Sequence, residues 1–283
     1  MDKPAGPSSH DVVARVRRLF GTRAVGHAGT LDPFATGLLV LVLGPATRLV
    51  RWAERRRKTY QATARLGQNT TTDDATGAVT AEAAPSQWPS RADVIAALNR
   101  FTGTFDQQPP RYSARQVGGV RSYAAARRNQ VLDLPATQVT VCSLELLEYQ
   151  PPSLTFRAEV SPGTYLRALA RDIGRELGPG AHLTALRRER IGPWRVEQAT
   201  PLSELTGRER LLPPEALVDE LDRIPLTSDE AKLVRFGRDI ERAAEVPSQE
   251  AGLYEGDRLV AVATRVAGGW HPAVVLPFEG ESG

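Results

Sequence analysis

Apolar residues recur at helical spacing near the start of the chain. Val12, Val13, Val16, Leu19 and Phe20 share one face, while Arg15, Arg17 and Arg18 look elsewhere. Ser8 or Ser9 can cap that helix, Ser8 and Asp11 are spaced as a capping box, and Gly21 ends it. The continuous apolar run from Leu38 to Leu43 predicts a buried central strand. A short basic helix follows, with Leu49, Val50 and Ala53 inward and Arg51, Arg55, Arg56 and Arg57 outward. Residues 58–66 alternate, putting Tyr60, Ala62, Ala64 and Leu66 on one face of a half-buried strand. Residues 70–77 read as a polar turn and residues 79–90 as a connecting loop. An amphipathic helix is predicted over 93–101 through Val94, Ile95, Leu98 and Phe101. Residues 107–121 show little periodicity and read as loop, leading into a short helix near 122–128. Strands follow at 138–148 and 154–160. A helix over 164–177 buries Leu166, Leu169, Ala170, Ile173 and Leu177, with Gly178 just past its end. No repeat and no low-complexity segment interrupts this order.

Composition narrows the class. With 283 residues and 30.8 kDa the chain suits one large domain and a smaller one. A single cysteine, Cys142, excludes an internal disulfide and any multi-cysteine metal site, and the four histidines lack metal-ligand spacing. Neither a metal nor another cofactor is expected. No apolar run is long enough to span a membrane, and the N-terminus lacks the apolar core of a signal peptide, so a cytoplasmic protein without membrane partners is expected. The net charge of +3 hides an asymmetry. Residues 1–70 hold 12 Lys/Arg against 4 Asp/Glu, whereas residues 201–283 hold 9 against 16. The positive N-terminal part suggests a polyanionic partner, with Arg51, Arg55, Arg56 and Arg57 as phosphate-contact candidates or simply a solvated face.

One stretch concentrates the chemistry. Residues 26–39, GHAGTLDPFATGLL, hold three glycines, one proline and one carboxylate between a basic helix and the apolar run. Pro33 pushes Asp32 out of the helical region, leaving its side chain on an extended or turn backbone. Read from these residues alone, the commoner use of such a pair is a helix start, with aspartate as N-cap and proline at the first helical position.

That stretch, with DKPAGPSSHDVV before it and KTYQATARLG after it, resembles the bacterial TruB-type tRNA pseudouridine synthase family, whose GHxGxLDPxATGxL signature is present in full. TTTDDATG (70–77), PPRYSA (109–114), SPGTYLRALARDIG (161–174) and GAHLTALRR (180–188) follow in family order, so the likeness covers most of residues 2–195. It implies an α+β fold, with a mixed, largely antiparallel sheet flanked by helices in residues 1–210. A small β-rich, PUA-like domain is implied for 224–283, where strand-like runs at 258–262 and 270–276 follow a shift to acidic composition and the run LLPPE (211–215). That module's acidity argues against heavy phosphate contact.

The resemblance also implies site residues. Asp32 matches the catalytic aspartate and Arg167 the arginine that pairs with it; spacing alone would make Arg167 an ordinary exposed helix arginine. A carboxylate in a dry pocket needs such a cation to stay ionised. Tyr60 matches the tyrosine that stacks on the target uracil, and Tyr165 and Leu186 match pocket-wall positions, although all three also suit packing roles. His27 matches a histidine near the flipped loop nucleotides; a bond within its own loop and a His-Asp pair are the alternatives. Asp74 matches an aspartate that contacts unstacked bases, with an Asx-turn as the local alternative. Lys3 and Pro4 belong to the opening motif and are implied to support the Asp32 loop; the chain begins almost at that motif, so no N-terminal extension is expected.

The implied function is a stand-alone RNA isomerase. It would convert a uridine in the T-arm loop of tRNA to pseudouridine, flipping the nucleotide out and recognising loop shape rather than a duplex. A monomer is expected. Guide-RNA-dependent relatives usually carry basic tails, and the acidic C-terminal part argues against a guide RNA here. The alternatives are a non-catalytic RNA-binding or RNA-folding protein, against which the intact Asp32 motif argues, and a hydrolase using His27 and Asp32. The latter lacks a metal set or nucleophile elbow.

Overall fold

The computed structural model describes residues 1–110, 116–117, 120–121, 135–242 and 246–277. The chain divides into two compact units: residues 1–9, 31–39 and 55–202 form the first, and residues 10–30, 40–54 and 203–283 the second.

The strand Lys58–Leu66 anchors the first unit, because every second residue from Lys58 to Leu66 is buried. It lies between Ala181–Ile191 and Ser153–Val160, both antiparallel to it. The sheet continues through Thr137–Gln150 to Gly103–Gln107 on one side, and through Thr36–Leu38 to Asp2–Lys3 on the other. Thr36–Leu38 runs parallel to Ala181–Ile191 while the neighbours around it are antiparallel, giving the mixed, largely antiparallel sheet that was expected. Leu66, Leu98, Leu154, Phe156, Leu169, Ile173 and Leu183 form its core. Each such side chain contributes roughly 1.5–3 kcal/mol by leaving water.

Two helices cover this core. Leu166–Leu177 buries Leu166, Leu169, Ala170 and Ile173, one face at helical spacing. Arg91–Arg100 starts two residues earlier than the periodicity predicts, because Ser90 and Asp93 form a reciprocal capping box.

The second unit contains a five-stranded sheet in the order Asp222–Pro225, Glu250–Glu255, Arg258–Val266, Gly269–Val275 and Ile240–Glu241. The helix Ser228–Arg235, capped by Thr227, packs with it around Leu253, Val234 and Trp270. This is a β-rich module, with more strands than the two foreseen. The second unit also holds most of the helix Ser9–Leu19 and a hairpin pairing Val25–His27 with Leu41–Leu43.

Several local expectations fail for physical reasons. Leu38–Leu43 is not one strand: Thr36–Leu38 and Leu41–Leu43 belong to different sheets, and an unbroken apolar run carries no mark of where pairing changes. The sequence pattern does not predict the strand Ala181–Ile191, because register shifts after Leu183 and Arg188 break its period of two and one buried member is an arginine. Val79–Glu82, expected as loop, pairs with Gln68–Thr70, but all four residues are exposed and leave no pattern. Gln107, also expected in a loop, ends a strand. The short helix expected at 122–128, and residues 111–114 of the PPRYSA motif, lie outside the described residues.

Gly37 is required where it stands. Its φ is +104°, and a Cβ there would lie 2.3 Å from the Arg188 carbonyl oxygen. Gly37→Ala should therefore cost about 3 kcal/mol or more, combining left-handed strain with a backbone clash. Chemical denaturation would read this as a lower midpoint with an unchanged slope.

Candidate active site

The backbone around Asp32 is a turn, not a helix start. The Asp32 backbone carbonyl, not its carboxylate, accepts a hydrogen bond from the Ala35 N–H at 3.1 Å, with Pro33 at the second turn position, and the strand Thr36–Leu38 follows. The helix-cap reading therefore falls. The turn is fastened from below by the chain's first residues. The Gly6 N–H donates to the Pro33 carbonyl at 2.8 Å. The Lys3 ammonium, fully buried, donates to the carbonyls of Pro4 and Pro7, both at 2.8 Å, and of Pro33 at 3.3 Å. Ser9 Oγ accepts from the Leu31 N–H at 2.9 Å and donates to the Leu31 carbonyl at 3.1 Å. Burial pushes the Lys3 ammonium below the usual lysine range; the nearby Asp32 carboxylate opposes that shift and Arg188 adds to it.

Arg167 enters from the first turn of Leu166–Leu177. Its Nε donates to Asp32 Oδ2 at 2.9 Å and its Nη2 to Oδ1 at 3.3 Å, a two-point fork. Nη1 donates to the Thr72 carbonyl at 2.8 Å and lies 3.5 Å from Asp74 Oδ2. The arginine side chain is 7% exposed and that of Asp32 35%. A sequestered cation thus holds an anion whose other side is open.

Asp74 is buried within the 70–77 turn. Its Oδ1 accepts from the Thr76 N–H at 2.9 Å and from the Thr72 hydroxyl at 2.8 Å, so the Asx-turn geometry is present together with the contact to Arg167. Hydrogen bonds from the Ala75 N–H to the Leu183 carbonyl and from the Leu183 N–H to the Asp73 carbonyl tie the turn to the strand Ala181–Ile191. Asp73 takes a left-handed φ of 59° beside Arg171. Burial raises its carboxyl above the usual range, and the charges of Arg171 and Arg167 pull it back.

Tyr60 and Leu186, 8% and 7% exposed, belong to one apolar cluster with Ala35 and with Leu31 and Leu166, the residues that precede Asp32 and Arg167. The buried Arg188 pairs with Tyr60 across the strands. Its Nε donates to the Leu38 carbonyl at 2.7 Å, and its guanidinium carbon lies 5.9 Å from the Tyr60 ring centroid. Tyr165 is half-buried just before the helix that carries Arg167. The first unit therefore brings Asp32, Arg167, Asp74, Tyr60, Leu186 and Tyr165 into one connected region. His27 is in the second unit, on the strand that pairs with Leu41–Leu43. Among the described residues, no three His, Cys, Asp or Glu side chains gather so as to hold a metal ion.

Arg188, Thr72 and Gln107 contribute contacts here that no sequence pattern marks. Arg188 carries no readable signal in the sequence, because its inward position exists only in a strand whose period of two is broken by register shifts.

Residues 17–166 match the N-terminal domain of the TruB family of pseudouridylate synthases, and residues 167–226 match the tRNA pseudouridylate synthase B C-terminal domain. A protein of Thermobifida fusca (strain YX) described as tRNA pseudouridine synthase B is 45% identical, the alignment covering 98% of this chain and 97% of that one. A protein of the same description from Corynebacterium glutamicum (strain R) is 42% identical over 93% of each chain. Among solved structures, an H/ACA RNP bound to a substrate RNA containing 2′-deoxyuridine shares the fold, with a TM-score of 0.75 at 24% identity over 98% of this chain and 84% of its counterpart. A Cbf5-Nop10-Gar1 complex gives a TM-score of 0.74 at 26% identity over 98% and 82%.

Proposed function

Because the chain belongs to the TruB family of pseudouridylate synthases, we propose that it isomerises a uridine of tRNA to pseudouridine, with Asp32 as the catalytic carboxylate. The observation that carries this reading is the Asp32–Arg167 fork, a half-open carboxylate fixed by a buried guanidinium.

The reaction breaks the bond between uracil N1 and ribose C1′, turns the base and joins C5 to C1′. The proton on C5 is lost and N1 gains one, so no electron donor or acceptor is consumed. Two roles suit an ionised carboxylate at that junction: attack on the ribose carbon, or removal of a ribose proton. Arg167 serves either by holding both oxygens in one orientation. Asp74, Thr72 and the turn around them hold Arg167 in place. Tyr60 supplies a ring for the detached uracil to stack against, a contribution of about 1–3 kcal/mol, and Leu186 closes the apolar wall. Lys3 and Ser9 keep the turn rigid from below.

We read the substrate loop as that of the tRNA T-arm, with the nucleotide flipped out of it. Tyr165 is assigned to the pocket wall, Asp74 and His27 to contacts with the unstacked nucleotides. We also read the catalytic domain as residues 1–210 and the PUA-like domain as residues 224–283. The protein is expected to work as a cytoplasmic monomer without a guide RNA.

The test uses an unmodified T-arm hairpin incubated with the purified protein, with pseudouridine mapped by chemical adduct formation and primer extension. Conversion of a single loop uridine is expected. Tight binding without product would favour the non-catalytic RNA-binding alternative, and conversion only in the presence of added RNAs would overturn the stand-alone reading.

A further inference from the structure

Gln107 has a buried side chain, 2% exposed, that the chemistry above does not use. Its amide is spent entirely on one residue's backbone. The Tyr165 N–H donates to Gln107 Oε1 at 2.9 Å, and Gln107 Nε2 donates to the Tyr165 carbonyl at 3.2 Å. The side chain thus imitates a strand neighbour at the point where the chain turns into the helix Leu166–Leu177. Tyr165 is that helix's N-cap and offers no side-chain cap of its own. Its carbonyl also accepts the first helical bond, from the Leu169 N–H at 3.0 Å.

The next residue adds a second tie. The Gln108 carbonyl accepts from Arg171 Nη2 at 2.9 Å, one turn further along the same helix. The end of the strand Gly103–Gln107 is therefore joined to this helix on both sides of Arg167.

Arg167 sits in the first turn of the helix, where the positive end of the backbone dipole disfavours a cation. First turns also fray most readily. A fork with bonds of 2.9 and 3.3 Å tolerates little movement before one of them is lost. We propose that Gln107 is a positioning residue for the isomerisation, locking the start of the Arg167 helix so that the guanidinium meets both oxygens of Asp32. This rests on the reading that Asp32 and Arg167 serve the reaction.

Gln107→Leu keeps the volume and removes both hydrogen bonds. Under single turnover at saturating T-arm hairpin, its rate should fall about 10–100-fold, the range for a misplaced catalytic group, with hairpin affinity changed less than about threefold. In an Arg167→Ala background the same substitution should cost no more than about twofold, because the group it positions is gone. Equal fold-losses in both backgrounds, or an unchanged rate in the first, would overturn the proposal. Gln107→Glu covers the case in which the leucine variant does not fold. A carboxylate there accepts from Tyr165 but opposes its carbonyl, whereas a protonated carboxyl restores both bonds. Its rate relative to the natural protein should rise as pH falls, and a ratio independent of pH counts against the proposal. Proton NMR of Arg167 Nε–H separates this idea from the functional reading. Faster exchange of that proton in Gln107→Leu, with the amides of Lys58–Leu66 unaffected, supports the positioning role even if no pseudouridine is ever formed. An active natural protein whose Nε–H is indifferent to the substitution sinks the positioning role alone.

Discussion

Asp32→Asn should abolish pseudouridine formation, with a rate loss of at least about 10⁴-fold, or roughly 5 kcal/mol of barrier. The amide is nearly isosteric, so the turn, the Ala35 hydrogen bond and the Pro33 contacts survive. Charge and basicity do not. An amide cannot serve as the nucleophile or take a ribose proton at neutral pH. Its NH₂ group would also face one Arg167 donor, leaving that donor without an acceptor. The fork is half-open and Asp74 remains 3.5 Å from the guanidinium, so the stability loss should be only about 1–2 kcal/mol, well below that of a fully buried pair. Hairpin affinity should change less than about threefold, because binding rests on many phosphate and base contacts. Single-turnover assays beside hairpin titrations check this. Activity surviving in Asp32→Asn would remove the carboxylate from the reaction.

The second large effect is expected at Arg167. Replacing it by Ala leaves Asp32 and Asp74 as two carboxylates with no guanidinium between them, and opens a cavity at the head of the helix. Turnover should fall about 10³-fold, and stability by about 3 kcal/mol, since one member of a largely buried ionic network has been removed. Arg167→Lys restores the charge but not the planar fork, so it should recover stability more than turnover. Comparing the saturated rate with the hairpin dissociation constant separates catalysis from recognition. Equal losses in both would make Arg167 an RNA-binding group only.

Neither side chain's role is marked by the local sequence pattern. Asp-Pro is ambiguous: the pair begins a helix in one setting and a turn in another, and the difference lies in hydrogen bonds from Lys3, Gly6 and Ser9, remote in sequence. The family signature, not periodicity, pointed to the catalytic use. Arg167 looked exposed because it precedes the apolar positions Leu169, Ala170 and Ile173. A local clue was nevertheless present. Ala170 and Gly174 stand one and two turns below it, and Gly174 is packed so closely that a Cβ would lie 2.3 Å from Ala181 Cβ, so that edge of the helix is buried too.

The fold was legible wherever one face of an element carried the pattern. The strict alternation of Lys58–Leu66 marks a half-buried strand, though not its place in the middle of the sheet, and the helical spacing of Leu166–Leu177 marks the helix that covers it. It was illegible where bulges shifted the period, as in Ala181–Ile191, or where a residue's value was its hydrogen bonds rather than its hydrophobicity, as in Gln107.

The parallel seam between Thr36–Leu38 and Ala181–Ile191 has a bearing on how the enzyme is made. Arg188 closes it onto the Leu38 carbonyl across 150 positions of chain, one of the long loops whose closure slows folding. A ribosome must therefore finish nearly two thirds of the polypeptide before the aspartate can settle into its seat. Fragments ending before that point should form no pseudouridine in the hairpin assay, however well their early helices have formed.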